Sequence, residues 1–175
     1  MQIQDLYNLI RIVPDFPKPG INFYDMTTLL ENKDVFKFLI DELAKPYVGK
    51  GVDKIVGIDA RGFLLAAPVA YKLGCGLSIV RKKGKLPHKT FKQEYELEYG
   101  TDTIEMHEDT IKPGEKVIIV DDVLATGGTM KATIELIHNF KAEIVGISFL
   151  AELAFLKGKE KIGHWPVYSL LTFDK

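Results

Sequence analysis

The stretch Lys116 to Met130, KVIIVDDVLATGGTM, decides how the rest of the chain is read. Val117 to Val120 are four apolar, mostly β-branched residues in a row, the pattern of a strand buried on both faces. They lead into two adjacent carboxylates, Asp121 and Asp122, then into Ala125-Thr126-Gly127-Gly128-Thr129 and the start of a helix. A glycine turn that opens a helix gathers backbone N–H groups and the positive end of a helix dipole at one point, which suits a phosphate. Carboxylates beside a phosphate repel it unless they face something else. The hydroxyls of a sugar or a divalent cation would satisfy them. An ordinary strand–turn–helix corner would account for the glycines and leave the paired acids unexplained.

Two known nucleotide motifs fail at this stretch. A P-loop needs Lys-Ser/Thr after its second glycine, where this chain has Thr129-Met130, and a dinucleotide fingerprint needs G-x-G-x-x-G with an acid some twenty residues later. A ribose with a phosphate on one carbon and free hydroxyls on two others fits better. The turn amides would take the phosphate, and Asp121 and Asp122 would accept from the hydroxyls.

Working outward, Lys54–Ile58 (KIVGI) is a second buried strand, followed by Asp59-Ala60-Arg61-Gly62 and a helix that stops at Gly74, with Pro68 placed to kink it. Leu77 to Val80 form a third strand ending in Arg81-Lys82-Lys83, Glu143 to Leu150 a fourth, and Val167 to Phe173 a last. Apolar spacing near 3.6 predicts helices over residues 2–10, 34–47 and 130–140. Strands alternating with helices predict an α/β fold, a parallel sheet covered on both faces with right-handed crossovers. In such a sheet the ligand lies outside the carboxyl ends of the strands. Four of those ends carry charge: Asp59 and Arg61, Arg81 to Lys83, Asp121 and Asp122, and Glu152.

Two segments are irregular. VPDFPKPGINFYD packs three prolines and a glycine around Phe16, Phe23 and Tyr24, a rigid aromatic loop that either packs on the body or closes over a flat ligand. KGKLPHKTFKQE, residues 83–94, is polar and basic without periodicity and predicts a mobile surface loop. After it, Tyr95, Leu97 and Tyr99 alternate with Glu94, Glu96 and Glu98, the pattern of a half-exposed strand. It turns back at Gly100-Thr101 through Ile104 and Met106.

The composition sets the class. The 175 residues suit one domain, and 46% hydrophobic with 27% charged residues is ordinary for a globular protein. Lys and Arg (23) nearly balance Asp and Glu (24), so a nucleic-acid polymer is not expected as a partner. The first residues lack the pattern of a secretory leader and no run reaches the length of a membrane span, so no membrane is expected and cytoplasm is the expected location. Cys75 and the scattered histidines suggest no disulfide and no metal site.

VIIVDDVLATGGT resembles the phosphoribosyl-pyrophosphate (PRPP) signature of the type I phosphoribosyltransferases. PDFPKPGINFYD, GIDARGF, RKKGKLP and YELEYGTD, in that order over nearly the whole chain, resemble one branch of them, the adenine phosphoribosyltransferase family. The resemblance implies a doubly wound, mainly parallel central sheet flanked by helices. It adds an N-terminal hood over residues 1–33 that binds the base and a flexible β-hairpin loop over residues 83–100, all within one domain, 1–175. It implies transfer of a 5-phosphoribosyl group from PRPP to adenine, giving AMP and pyrophosphate, with Mg²⁺ held mainly by substrate oxygens and no protein metal cage, in a homodimer.

Carried onto this chain, Ala125, Thr126, Gly127, Gly128 and Thr129 hold the 5′-phosphate, and Asp121 and Asp122 the ribose. Asp59, Ala60, Arg61, Arg81, Lys82 and Lys85 face the pyrophosphate, part of that charge being supplied across the dimer interface. Glu98 exchanges a proton with the base, with Arg61 beside it in the chemistry and Tyr99 in the loop. Phe23 stacks on adenine, with Asn22, Tyr24 and Ala125 around it; Tyr24 stands where many relatives carry a basic residue, which leaves its side-chain role open. The same PRPP half could serve hypoxanthine, guanine, xanthine or orotate, or a PRPP-sensing regulator without catalysis. The PGINFYD and ELEYG stretches favour adenine.

Overall fold

A computed structural model describes residues 1–97 and 100–175. The chain begins α1 (Ile3–Tyr7), β1 (Arg11–Val13), β2 (Phe23–Asp25), α2 (Thr27–Glu31), α3 (Lys33–Ala44), β3 (Lys54–Ile58), α4 (Gly62–Leu73) and β4 (Gly76–Lys82). It continues β5 (Thr90–Glu96), β6 (Thr101–His107), β7 (Lys116–Leu124), α5 (Gly128–His138), β8 (Glu143–Leu153), α6 (Gly158–Ile162) and β9 (Val167–Phe173). Among the described residues seven strands form one sheet in the order β5-β6-β4-β3-β7-β8-β9, while β1 and β2 pair separately. β4-β3-β7-β8-β9 are parallel, and β6 joins antiparallel to both β4 and β5.

Alternation along the central strands sorts the core into two layers. Ile55, Ile118 and Val120 face α3 and α4 with Leu39, Leu43, Leu65 and Val69, whereas Val56, Val117 and Ile119 face α5 with Ile134 and Ile137. The run Val117–Val120 is therefore apolar at every position because each face of β7 is covered by a different helical layer. The expected α/β sheet, doubly wound and mainly parallel, is present.

Several boundaries differ from expectation. The first helix is only Ile3–Tyr7, and residues 8–10, expected to continue it, form a turn that leads into β1. The aromatic loop contains β2, which pairs with β1 through Val13 and Phe23. Three prolines hid a short strand that no central sheet had to accommodate. The expected 34–47 helix is α3 followed by a 3-10 turn, Lys45–Tyr47, and is capped by the Asn32 side chain accepting from Asp34 N and Val35 N. The basic segment 83–94 is only partly loop. β5 begins at Thr90, and the Phe91 ring meets Phe140 edge-on at 5.1 Å, so an apolar anchor turns the second half into strand. Glu94 and Glu96 face solvent with Tyr95 turned inward, as the alternation predicts, but Leu97 lies past the strand end and is exposed. β7 runs on to Leu124, placing Asp121 and Asp122 inside the strand rather than after it.

Candidate active site

The carboxyl ends of β3, β4 and β7 meet at three adjoining cavities. The first, about 350 Å³, is lined by Asp59, Ala60, Arg61, Lys82, Asp121, Asp122 and Thr129, with Ile58, Val80, Tyr95 and Ile104 as its apolar and aromatic walls. The second is a small cradle of about 90 Å³ formed by residues 123–130 together with Asp121 and Phe149. The third, about 280 Å³, lies under the N-terminal hood between Phe16, Ile21, Asn22, Phe23 and Tyr24 on one side and Arg61, Asp122, Val123, Ala125 and Leu153 on the other. Asp121 is shared by the first two, Arg61 and Asp122 by the first and third, and Val123 and Ala125 by the second and third.

The cradle is made by local chain geometry. Gly127 adopts φ +79 and serves as the N-cap of α5, so the first N–H groups of that helix point into the turn without intrahelical partners. Gly62 opens α4 against β7: a Cβ there would stand 2.7 Å from Asp121 Oδ1, so only glycine lets the helix and the acid sit together. In the hood, the Phe16 and Phe23 rings meet edge to face at 5.3 Å, leaving an apolar slot beside Asn22.

Residues 26–170 match the family described as the phosphoribosyl transferase domain. An adenine phosphoribosyltransferase of Geobacter metallireducens is 56% identical over 171 residues, covering 98% of this chain and 100% of that protein. The chain belongs to the adenine phosphoribosyltransferase family. The crystal structure of the adenine phosphoribosyltransferase from Thermoanaerobacter pseudethanolicus superposes with a TM-score of 0.94 at 46% identity, over 98% of this chain and 100% of that one. That from Saccharomyces cerevisiae, complexed with an imino-altritol bisphosphate and adenine, gives 0.91 at 41%, over 97% and 98%. The general domain match begins at residue 26, after Phe16, Asn22, Phe23 and Tyr24, whereas the adenine phosphoribosyltransferase matches take in nearly the whole chain.

Within this member of the adenine phosphoribosyltransferase family, charge pairs organise the cavity walls. Arg61 Nε lies 2.6 Å from Asp122 Oδ2, Arg81 Nε 3.2 Å and Lys85 Nζ 3.8 Å from Asp59 Oδ2, and Lys82 Nζ 3.2 Å from Asp102 Oδ2. Burial, and then the neighbouring Asp122 carboxylate, push the Asp121 carboxyl well above the usual carboxylate range, with Arg61 opposing. Asp122 N–H donates to Asp121 Oδ1 at 2.9 Å, which fixes that oxygen.

The expected residues fall into place unevenly. Asp59, Ala60, Arg61, Lys82, Asp121, Asp122 and Thr129 line the first cavity, while Arg81 and Lys85 reach it through Asp59. Ala125 to Thr129 line the cradle, and Asn22, Phe23, Tyr24 and Ala125 the hood cavity. Glu98 and Tyr99 lie outside the described residues. Glu152 does not join the site: its buried carboxylate accepts from Ser169 Oγ at 2.9 Å and forms an ion pair with Lys159 Nζ at 2.5 Å, because α6 folds back over that strand end. Tyr24 has a defined role, since its hydroxyl donates to the Lys175 carbonyl at 2.7 Å and its ring lies 4.1 Å from Phe173. Its side chain ties the hood to the end of β9. Sequence reasoning missed Tyr95, Asp102 and Ile104. The only available signal was inward placement on a strand whose partner was not known. It also gave no site role to Phe16 or Ile21, although both line the hood cavity with Phe23.

Proposed function

We propose that the chain transfers the 5-phosphoribosyl group of PRPP to adenine, releasing pyrophosphate and giving AMP, in purine salvage. The observation that carries this reading is the trio of cavities joined at Arg61, Asp121, Asp122 and Ala125. PRPP with a base has three parts meeting at one sugar: a diphosphate, a 5′-phosphate and a flat ring. The first cavity, with Arg61 and Lys82 in its wall, suits the pyrophosphate, the helix-terminus cradle of Ala125 to Thr129 suits the 5′-phosphate, and the aromatic slot at Phe23 suits the base. Asp121 stands between the first two cavities and Asp122 between the first and third, as ribose ligands should.

In the reaction an adenine ring nitrogen bonds to C1′, the C1′–O bond breaks, and pyrophosphate leaves with the electron pair. Positive charge develops on the sugar and negative charge on the leaving group. Arg61 and Lys82 in the cavity wall, with Arg81 and Lys85 behind Asp59, oppose the second. The base must also exchange a proton, and the resemblance gives that to Glu98, with Tyr99 beside it in the loop. Mg²⁺ would accompany PRPP and neutralise its phosphates. The phosphate oxygens of PRPP and waters would fill most of that cation's coordination sites, since among the described residues no group of three or more His, Cys, Asp or Glu could hold a metal ion.

A homodimer belongs to this reading. Leu64 and Tyr71, 51% and 90% exposed, lie seven residues apart on one face of α4, whose N-terminus carries Arg61. A second copy covering that face would border the pyrophosphate cavity. The hood of residues 1–33 and the hairpin segment 83–100 would be its two covers, and the cytoplasm is the proposed location. Among the described residues no helix is long and apolar enough to cross a membrane.

Initial rates with PRPP and adenine, hypoxanthine, guanine, xanthine or orotate test the base assignment. Adenine should be strongly preferred, and preference for any other base overturns it. Glu98→Ala should abolish most turnover while leaving PRPP binding in place.

A further inference from the structure

Glu105 is a charged residue in the core, 2% exposed, in the middle of β6. It stands opposite Arg81 on β4 and Lys92 on β5. A carboxylate is costly to bury unless its oxygens are bonded. Both of its oxygens are committed, and to a single stretch of chain. One accepts from the backbone N–H of Gly84 and the other from Thr90 Oγ1 at 2.8 Å, with Lys92 Nζ 4.0 Å from the second. It does not line the pyrophosphate cavity, whose wall is made by its neighbour Ile104.

These contacts close a turn. Gly84 and Thr90 are the two ends of the segment between β4 and β5, and one carboxylate holds both. On that segment and just before it stand Arg81, Lys82, Lys83 and Lys85, four cations within five residues that repel one another. Fixing Gly84 fixes the backbone between Lys82, which lines the cavity, and Lys85, which reaches Asp59 at 3.8 Å.

We propose that Glu105 is a positioning residue for the pyrophosphate half of the reaction, holding the basic turn at residues 82–85 in place by bonding Gly84 and Thr90 from beneath. The proposal rests on the reading that the first cavity takes pyrophosphate.

Thr90→Val removes one of the two bonds at nearly constant volume, and Glu105→Gln keeps the shape while removing the charge. Binding of inorganic pyrophosphate with Mg²⁺ by titration calorimetry is measured for each, alongside KM for PRPP and for adenine. Glu105→Gln should raise the pyrophosphate Kd and the PRPP KM by about tenfold, the scale of one charge-assisted hydrogen bond. Thr90→Val should raise them severalfold. Adenine KM should not change in either. The double variant should be no weaker than Glu105→Gln alone, because both act through one contact. Unchanged pyrophosphate binding in both variants, or an adenine KM that rises in step with that for PRPP, overturns the role. If Glu105→Gln does not fold, Thr90→Val decides by the same criterion. An Arg81→Ala, Lys85→Ala variant separates the two ideas: if it binds pyrophosphate like the parent, the cavity assignment itself is wrong, and if it binds weakly the result for Glu105 stands by itself.

Discussion

Replacing Gly127 with alanine should damage the cradle of residues 123–130, the proposed 5′-phosphate site, in two separable ways. The first is conformational. Gly127 sits at φ +79, where a side chain costs about 1–2 kcal/mol. The second is steric. An added Cβ would overlap the carbonyl oxygen of Gly158 and stand 3.1 Å from its carbonyl carbon, backbone atoms at the start of α6. Gly158 is itself packed hard against the cradle, for a Cβ on it would overlap the Ala125 carbonyl and stand 2.9 Å from Leu124 Cδ1. Neither side has room to give, so the clash should add roughly 1–3 kcal/mol of overpacking. Gly114→Ala is the control: its φ is +83 but nothing lies within 4 Å of the added atom, so it carries the conformational cost alone. For a chain of 175 residues each kcal/mol lowers Tm by about 2–4 °C, so Gly114→Ala should lower it by about 2–8 °C with PRPP KM unchanged. Gly127→Ala should lower Tm further, or displace the turn and reduce kcat/KM for PRPP about tenfold or more, the rate equivalent of about 1.4 kcal/mol. Differential scanning fluorimetry and initial rates at saturating adenine measure both. If Gly127→Ala matches Gly114→Ala in Tm and keeps the parental PRPP KM, the packing of α6 on the cradle is not what shapes it.

Three further outcomes are expected. Phe23→Ala should raise the adenine KM by about tenfold, since stacking a base on an aromatic ring contributes about 1–3 kcal/mol, and leave the PRPP KM alone; equal increases in both would remove Phe23 from the base slot. Tyr47→Phe should lower stability by about 1–3 kcal/mol in a denaturant titration without changing either KM. Its hydroxyl and the fully buried Ser148 Oγ share a hydrogen bond of 2.7 Å, and the serine would be left unpaired. Asp121→Asn should stabilise the ligand-free protein more at pH 8 than at pH 5. Burial and Asp122 raise the folded-state pKa of Asp121, so the stability it contributes is complete below its ordinary value and is lost as pH rises through the raised one. An equal Tm difference at the two pH values contradicts that shift.

Residues 116–130 were enough, read alone, to locate a buried strand, a pair of acids at its end and a glycine turn that opens a helix, because those features depend on chain-local chemistry. Hydrophobic period likewise located β3, β9 and α4 with its stop at Gly74, which adopts φ +68. Local signals failed where partners decide the outcome. β1 and β2 are strands because they pair with each other across the proline-rich loop, and β5 starts at Thr90 because Phe91 finds Phe140. Glu152 looked like Asp121, an acid at a strand end, until α6 supplied Lys159 to occupy it. Glu105, between Ile104 and Met106, carries no sequence signal of its own, yet the antiparallel pairing of β6 between β4 and β5 buries it under the basic turn. Which residues carry chemistry suited to a phosphate, a sugar or a base is thus a property of the sequence. Which acids are left free to use it was settled only by folding, because a buried charge must be bonded and the fold chooses its partner.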